Sequence, residues 1–376
     1  MKKILFMIDS LFCGGAEKSL ISLLPCLAHK GYEITLMIQR RGGELENLVP
    51  KGIKLITFPY YPKGLRRLGF SIAIRLPFKS KYTYEERMWK SIGRYYPCLE
   101  EKFDVAIAYQ QGFPTLFIAD KVTARKKICW INCDIIKAGY NKNLWHKIYK
   151  KFDNIVTVTN ILADILTKEN FVLKDKILII NDIVSEDIVK SLAKERVYIP
   201  PKNKLIITTV GRFSPIKGYD YALDAALILK NKGINFEWNF IGDGPTRPII
   251  EDFIKRNDLD DYIKIRGLQL NPYPFIEHCD IYVQPSRSEG YGITICEAKI
   301  LQKPIVSTNF PVVHFQINNG INGLVADMNG KSIAENIYKL ANDSSLRMFF
   351  SQNLRTEHNR SSITESRKVI DLIDRD

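Results

Sequence analysis

The sequence predicts an α/β protein built from two tandem Rossmann-like domains that face each other across a cleft. Two successive series of short apolar segments alternate with helical patterns and glycine-bearing turns, which is typical of buried parallel strands joined by helices. The chain of 376 residues also exceeds the usual size of one domain with one core. Its 45% hydrophobic and 26% charged residues are those of an ordinary globular protein. We therefore expect two separately packed domains, which suits an enzyme with its site in a cleft.

The first series of segments defines a domain over residues 1–185. Its apolar segments have the length of buried strands, and the segment 16–29 between the first two has helical spacing. This alternation of strand and helix indicates parallel pairing. The segments predicted as strands of this domain are 3–9, 33–38, 104–109, 127–131 and 154–158.

The second series defines a domain over residues 200–360. Two consecutive prolines and several charges break the pattern between 185 and 204, where we place the boundary. A last helical pattern, 364–376, is expected to pack back on the first domain. The segments predicted as strands of the second domain are 205–210, 236–241, 262–266, 281–284 and 304–307, and those predicted as helices are 219–231 and 248–257.

Cysteine usage and the first residues indicate the cytoplasm. The seven cysteines are an odd number and form neither a CxxC pair nor a Cys/His cluster with zinc spacing. The first residues resemble a signal peptide, but Asp9 interrupts the apolar run and a GGAEK segment follows. The sequence has no apolar run of about 18 residues, so we expect no membrane-spanning helix.

Positive charge is concentrated in the first half of the chain. The net charge is +14, and residues 1–182 hold 30 lysines and arginines against 17 acids, whereas the rest hold 25 against 24. Such a one-sided field favours an anionic partner. The segment 63–94 carries nine basic and two acidic residues among apolar ones. It is either a solvated helical insertion with its apolar side on the core or a contact with an anionic membrane surface. We expect no nucleic-acid partner.

The segment 281–297, IYVQPSRSEGYGITICE, has the pattern of a strand, a turn and the start of a helix. Parallel α/β sheets bind ligands at the carboxyl ends of their strands, and the turn with Gly290 and Gly292 lies at such an end. Backbone amides at a helix start bind phosphate oxygens. Glu289 in the turn and Glu297 in the helix are placed to contact different parts of an extended ligand.

Two further loops follow strands of the same predicted sheet. The segment 210–218, VGRFSPIKG, places Arg212 and Lys217 just after a strand, and two such cations can clamp a diphosphate. Gly211 and Gly218 bracket them and permit close approach of the backbone. A third glycine turn, IGDGP, follows the next strand. Because all three loops follow strands of one parallel sheet, we expect them to converge on one ligand site.

Four ordered motifs resemble family 4 of the glycosyltransferases: GGAE near the start, GR followed by KG, GDGP, and PSRSEGYGITICE. The likeness covers nearly the whole chain. It implies the GT-B fold, a retaining reaction, a nucleotide-sugar donor on the second domain and an acceptor on the first. It assigns Arg212 and Lys217 to the donor diphosphate, Glu289 to the sugar hydroxyls and Glu297 to the ribose hydroxyls. The glycines of the first motif are assigned to a loop facing the reaction centre. The donor-binding residues implied by the resemblance are Gly14, Gly15, Gly211, Arg212, Lys217, Gly242, Gly244, Glu289, Gly290, Tyr291, Gly292 and Glu297.

One position departs from the family pattern. Many members carry a histidine after the strand that corresponds to 127–131, whereas this chain has Asn132 there. Asparagine can hydrogen-bond a sugar hydroxyl but cannot carry a proton. Asp134 is a second candidate for contact with the sugar, and a helix cap is its alternative role. The candidate catalytic residues are therefore Lys217, Arg212, Glu289, Asn132 and Asp134.

Neither a metal nor a cofactor is expected. Two fixed cations stabilise the charge that builds on a leaving diphosphate, which makes a metal unnecessary. The segment 258–261, DLDD, contains the D-x-D pattern of metal-dependent glycosyltransferases, but it follows a helix and is interpreted as a solvated loop. The first strand is not followed by GxGxxG, and no Walker A loop exists, which argues against a nicotinamide or flavin dehydrogenase.

These patterns and the resemblance predict an enzyme that moves a sugar from a nucleoside diphosphate, with UDP the expected nucleotide, to an acceptor hydroxyl. The expected acceptor is a lipid-linked saccharide of bacterial surface polysaccharide synthesis, such as capsule, O-antigen or exopolysaccharide. We expect the protein to be peripheral at the inner face of the plasma membrane. A nucleotide-sugar epimerase of the same fold and a catalytically silent glycan-binding subunit are the alternatives.

Overall fold

Two parallel β-sheets, each with helices on both faces, organise the chain. A computed structural model describes residues 1–12, 14–58, 81–172, 174–195, 198–357 and 361–375. The chain divides into two units: unit 1 is Met1–Ile183 with Ile363–Asp376, and unit 2 is Val184–Ser362. Within these described residues each unit contains one sheet, of seven and six strands respectively. The prediction of two α/β units with parallel sheets is confirmed.

Unit 1 has the strand order β3-β2-β1-β4-β5-β6-β7, with all neighbouring strands parallel. The central strand β1 is apolar and buried from Ile4 to Ile8, because helices cover both faces of the sheet. The strands are β1 (Lys3–Ile8), β2 (Glu33–Ile38), β3 (Lys54–Thr57), β4 (Lys102–Ala108), β5 (Thr123–Ile131), β6 (Asn154–Thr157) and β7 (Ile177–Ile179). The α-helices are α1 (Gly15–Ala28), α2 (Tyr84–Ile92), α3 (Phe113–Lys121), α4 (Lys142–Tyr149) and α5 (Asn160–Lys168), and the 3-10 helices are Glu44–Leu48, Gly93–Tyr95 and Lys174–Lys176.

Helix α2 contains part of the basic segment 63–94. Its N-cap Thr83 and Glu86 form a reciprocal capping box. Met88 and Trp89 are buried, and the Trp89 ring packs edge-on against Phe113. The described part, 81–94, therefore matches the interpretation of a helix with its apolar side on the core. Residues 63–80 lie outside the described part of the chain.

The last helix of the chain, α13 (Ser361–Asp374), belongs largely to unit 1. Val369 and Leu372 are buried, and the backbone amide of Asn181 donates to the Glu365 carboxylate at 2.8 Å. The Lys2 ammonium donates to the carbonyl of Ile373 at 3.1 Å and so caps the helix end. The two ends of the chain thus meet on unit 1.

Unit 2 has the strand order β10-β9-β8-β11-β12-β13, again parallel throughout. This order places β8 beside β11, with β9 on the other side of β8, so their carboxyl ends lie together. The strands are β8 (Leu205–Val210), β9 (Phe236–Ile241), β10 (Ile263–Gly267), β11 (Ile281–Gln284), β12 (Ile305–Thr308) and β13 (Leu324–Ala326). The α-helices are α6 (Glu186–Ala193), α7 (Tyr219–Asn231), α8 (Arg247–Arg256), α9 (Tyr273–Glu277), α10 (Ile293–Ile300), α11 (Gly330–Asn342) and α12 (Ser344–Thr356), and the 3-10 helices are Pro215–Lys217 and Val313–Phe315.

The structure adds three strands that the sequence patterns did not indicate: β3, β7 and β13. Each has three or four residues and pairs at or next to a sheet edge. A segment of this length shows too little periodicity to be distinguished from a loop. Within the described residues, no helix has the length and apolarity needed to cross a bilayer.

Candidate active site

The loops after β8 and β11 touch at Gly218. Gly218 has a φ of +65°, and a Cβ at this position would lie 1.9 Å from the carbonyl oxygen of Pro285. The backbone amide of Arg287 also donates to the carbonyl of Ile216 at 2.8 Å. Only glycine meets both requirements at 218, the left-handed conformation and the close approach. These contacts bring the KG motif against the PS motif.

The GDGP turn after β9 packs against the same β8 loop. A Cβ on Gly242 would lie 2.0 Å from the carbonyl oxygen of Gly211, and one on Gly244 would lie 2.4 Å from that of Phe213. The Phe213 amide donates to the carbonyl of Asp243 at 2.9 Å. The three glycine loops expected from the sequence are therefore in contact at one edge of the unit 2 sheet.

Lys217 and Glu289 form an ion pair where these loops meet. The Lys217 ammonium donates to both carboxylate oxygens of Glu289 at 2.7 Å. The side chains are 25% and 10% exposed, so solvent screens this pair less than it screens a surface pair. Lys217 and Glu289 thus lie side by side, although the family resemblance assigns them to different parts of the donor, the diphosphate and the sugar.

Glu289 has two further hydrogen-bond donors that sequence reasoning did not single out. The Ser286 hydroxyl and the Gln284 amide donate to its Oε1 at 2.6 and 3.0 Å. Ser286 and Gln284 are fully buried. The signal available in the sequence was a polar glutamine at the end of an otherwise apolar strand, IYVQ.

A second ion pair joins the loop after β11 to the first turn of α7. The Arg287 guanidinium donates to the Asp220 carboxylate and to the carbonyl of Pro215, and it lies over the Tyr221 ring at 4.0 Å. Partial burial of Asp220 opposes ionisation, but the hydrogen bond and charge of Arg287 outweigh it, so the pKa of Asp220 lies below its ordinary value. Arg287 therefore helps to hold the β11 loop on the start of α7.

Arg212 lies on the same loop as Lys217 and is exposed. In the part of the chain that the structure describes, its guanidinium makes no ion pair and no hydrogen bond to a side chain. Among the described residues its donors are therefore not engaged and are available to an anionic ligand.

Glu297 lies in α10, behind the turn of Gly290, Tyr291 and Gly292. Its side chain is buried, and the Tyr273 hydroxyl donates to Oε1 at 2.9 Å. Gly292 has a φ of +89° and precedes the first residue of the helix. The structure thus places this carboxylate and this turn at the carboxyl end of β11, as the strand–turn–helix pattern requires.

In unit 1, Gly14 and Gly15 begin α1. A Cβ on Gly14 would lie 2.2 Å from a carboxylate oxygen of Glu17, so glycine leaves room for that side chain. Glu17 is buried, and burial raises its pKa to about 7. Asp182, which follows β7, is also buried with its pKa raised to about 7 by burial. Sequence reasoning did not identify these two carboxyl groups.

Asn132 and Asp134 follow β5. The Asn132 side-chain amide donates to the carbonyl of Tyr109 at 2.9 Å, while its Oδ1 is buried with no hydrogen-bond donor among the described residues. One oxygen of Asp134 accepts from the amides of Ile136 and Lys137 at 2.9 and 3.2 Å. Asp134 thus caps the turn 135–139, whereas the alternative considered for it was a helix cap.

The acidic segment 258–261 lies in the turn between α8 and β10. Asp258, Asp260 and Asp261 are exposed. Across the described residues, no group of three or more histidine, cysteine or acidic side chains is arranged to hold a metal ion.

Comparisons with known proteins find glycosyltransferases. Residues 191–357 match the family model described as glycosyl transferases group 1. A glycosyltransferase of unassigned specificity from Methanocaldococcus jannaschii is 34% identical over 147 residues, which are 38% of this chain and 40% of the relative. The capsular polysaccharide biosynthesis glycosyltransferase CapM of Staphylococcus aureus is 29% identical over 154 residues, or 40% of each chain. These alignments therefore span less than half of the relatives' own length.

The solved structure of HepE from Anabaena, in complex with UDP and glucose, matches over the whole chain. Its TM-score is 0.77 at 16% identity, with 99% of each chain covered. This likeness shows that the fold is that of the GT-B glycosyltransferases. The match to the family model of glycosyl transferases group 1 covers residues 191–357, which is less than half of the chain.

Proposed function

We propose that the protein transfers a sugar from a nucleoside diphosphate donor to an acceptor hydroxyl, with retention at the anomeric carbon. The observation that carries the proposal is the Lys217–Glu289 ion pair, which unites a cation for phosphate and an acceptor for sugar hydroxyls in one place. Arg212 on the same loop adds a second cation that faces solvent.

Lys217 can bind a phosphate without leaving Glu289. An ammonium group has three N–H donors, and Glu289 accepts two of them. The third donor and the Arg212 guanidinium would stabilise the negative charge that develops on the diphosphate as the glycosidic bond breaks. Lys217 is held by Glu289 before reaction, and stabilisation of this kind by positioned cations is worth several kcal/mol, on the order of a hundredfold or more in rate.

Glu297 would bind the ribose of the donor. Its carboxylate can accept hydrogen bonds from two vicinal hydroxyls, and Tyr273 holds one of its oxygens. The glycine turn that precedes α10 would leave space for the nucleotide. UDP is the proposed nucleotide, in keeping with the HepE complex.

The proposed acceptor is a lipid-linked saccharide of bacterial surface polysaccharide synthesis, in unit 1 and at the inner face of the membrane. The capsular function of CapM and the excess of positive charge in residues 1–182 support it. Binding to vesicles of anionic and neutral lipid, with and without salt, tests the location. A protein that ignores anionic vesicles at low salt contradicts the membrane part of the proposal.

A donor screen tests the chemistry. Ligand-induced thermal shifts with several UDP-, GDP- and ADP-sugars identify the donor, since a ligand bound only by the folded state raises the melting temperature. Transfer to saccharide acceptors is then followed by product formation, and NMR of the new linkage gives its anomeric configuration. A product with inverted anomeric configuration contradicts retention.

Incubation of the donor alone tests the alternative of an epimerase, because an epimerase isomerises the nucleotide sugar without an acceptor. Binding without turnover indicates a silent subunit.

A further inference from the structure

We propose that Gln284 is a positioning residue that fixes the carboxylate of Glu289 for contact with the donor sugar. The inference rests on the proposed function. Gln284 is the last residue of β11 and is 1% exposed, so its amide has no water to satisfy it. A buried polar side chain must find protein partners, and those of Gln284 all belong to one network that ends on Glu289.

The hydrogen bonds of Glu289 are divided unequally between its two oxygens. Oε1 accepts from Lys217, Ser286 and Gln284 at 2.7, 2.6 and 3.0 Å. Oε2 accepts from Lys217 at 2.7 Å, and the described residues offer it no second donor. A carboxylate oxygen has two lone-pair positions, so Oε1 is fully engaged while Oε2 can accept one more hydrogen bond. A sugar hydroxyl is the donor we infer for it.

Gln284 is itself held in one orientation. Its Oε1 accepts from the hydroxyls of Tyr282 and Thr294, both at 2.8 Å. Its Nε2 donates to Ser286 at 2.7 Å as well as to Glu289. All of its hydrogen-bonding directions are therefore used, and the amide cannot turn without breaking several bonds. The side chain joins the strand, the loop and the first turn of α10 to the carboxylate.

We expect this network to stay in place when a donor binds. Lys217 is the group expected to turn part of its charge toward the diphosphate, and a lysine side chain is flexible. Gln284 and Ser286 are buried and carry no charge, so they have no reason to move toward the ligand. Glu289 would keep its orientation through them during catalysis. A carboxylate that is held in the reactive orientation stabilises the transition state more than one that moves among several orientations.

Gln284→Leu tests the inference, because leucine fills similar space without polar atoms. We expect kcat to fall about tenfold or more, with the donor KM changed less than about threefold. The free nucleoside diphosphate, which does not reach Glu289, should give the same thermal shift as with the unchanged protein. The nucleotide sugar should lose only a small part of its shift, in keeping with the small change in KM.

Thr209→Val is the matched control. Thr209 is as buried as Gln284, lies on the neighbouring strand β8, and donates to the carbonyl of Val283 at 2.8 Å, but it does not touch Glu289. We expect Thr209→Val to lower the melting temperature about as much as Gln284→Leu does but to leave kcat unchanged. Equal losses of kcat in both variants would mean that Gln284 acts only through stability and would overturn the inference.

Gln284→Glu adds a second measurement, the pH dependence of activity, which would not change if Gln284 had only a structural role. Glutamate also keeps the shape of the side chain, so this variant serves if the leucine variant does not fold. At low pH the new carboxyl is protonated and can donate to Glu289 as the amide does. At higher pH two adjacent carboxylates repel each other. The activity of Gln284→Glu, divided by that of the unchanged protein, should therefore fall as pH rises. If the pH–activity profiles of the two proteins are parallel, the inference is contradicted. If the unchanged protein transfers no sugar from any donor, the proposed function fails instead.

Discussion

The ammonium group of Lys217 lies 2.7 Å from each carboxylate oxygen of Glu289, although 72 positions separate the two residues in the chain. The pair joins the loop after β8 to the loop after β11. Gly218, next to Lys217, makes this contact possible by its close approach to Pro285. The ion pair and the close approach of Gly218 to Pro285 therefore hold the same two loops together, and each contact can be tested by its own substitution.

Removal of the lysine charge should abolish most of the activity. For Lys217→Ala we expect turnover to fall by on the order of a hundredfold or more, because the developing charge on the leaving diphosphate loses a fixed cation. Steady-state kinetics with the identified donor measure this. Lys230→Ala is the control, since Lys230 in the same unit donates to the backbone carbonyls of Asn257 and Asp258 and lies over the Tyr262 ring. Near-normal turnover in Lys217→Ala, with melting unchanged, would remove Lys217 from the site.

Gly218→Ala should be far more damaging than the same change at Gly233. Both glycines have positive φ, +65° and +74°, so each substitution carries a similar conformational cost of about 1–2 kcal/mol. A Cβ at 233 meets nothing within 4 Å, whereas one at 218 would lie 1.9 Å from the Pro285 oxygen. The two loops must then separate, so we expect Gly218→Ala to lose turnover as well as stability.

Chemical denaturation and kinetics of the two alanine variants measure the difference. Gly233→Ala is expected to retain its turnover. Equal free energies of unfolding and equal turnover in the two variants would show that the contact between Gly218 and Pro285 does not hold the site together.

Glu297 and Tyr273 should act together in donor binding. Glu297→Ala is expected to lower turnover by on the order of a hundredfold, whereas Tyr273→Phe, which removes one hydrogen bond to Glu297, should weaken donor binding by only about three- to tenfold. Tyr198→Phe is a matched control, because Tyr198 donates to the buried Glu237 at 3.0 Å in the same unit. If the two phenylalanine variants bind the donor equally well, Tyr273 has no part in the site.

The sequence predicted the architecture well because the signal is local. Strand β11 was expected at 281–284 and α7 at 219–231, and both have these bounds. Each depends on a run of apolar residues or on a helical period within one segment. The short edge strand β13 was missed because Leu324–Ala326 is too brief to show any period.

From the sequence, the site could be predicted only where a loop contains characteristic residues of its own. Glycines and charges after strands indicated the three loops of unit 2. Gln284 was not indicated, because its importance comes from partners on other elements, Thr294 and Glu289. Burial of Glu17 and Asp182 was equally invisible, since the two residues lie far apart in the chain and burial depends on packing.

Chelation of divalent metal should leave the transfer reaction intact. Arg212 and Lys217 supply positive charge at the proposed diphosphate position, which is the part a metal ion has in metal-dependent enzymes. Initial rates with EDTA and with added Mg²⁺ or Mn²⁺ are expected to agree within about twofold. Strong inhibition that Mg²⁺ reverses would contradict this. It would direct attention to Asp258, Asp260 and Asp261.

Asp182→Asn should stabilise the protein at neutral and alkaline pH. Burial, followed by the neighbouring Glu17 charge, raises the pKa of Asp182 to about 7 despite a hydrogen bond from Ser19. In the unfolded chain the same group ionises near its ordinary value, about 4. The folded state therefore holds a proton that the unfolded state releases, and the free energy of unfolding falls as pH rises from about 4 to 7.

Asparagine removes this titration while it keeps the shape of the side chain. The variant and the unchanged protein should be alike near pH 4 and differ by up to roughly 4 kcal/mol above pH 7. Melting temperatures at a series of pH values between 5 and 8.5 measure the divergence. Asp260→Asn, an exposed carboxylate in unit 2, should run parallel to the unchanged protein. If Asp182→Asn also runs parallel, Asp182 is ionised in the folded state, and its carboxylate has a partner that stabilises the charge.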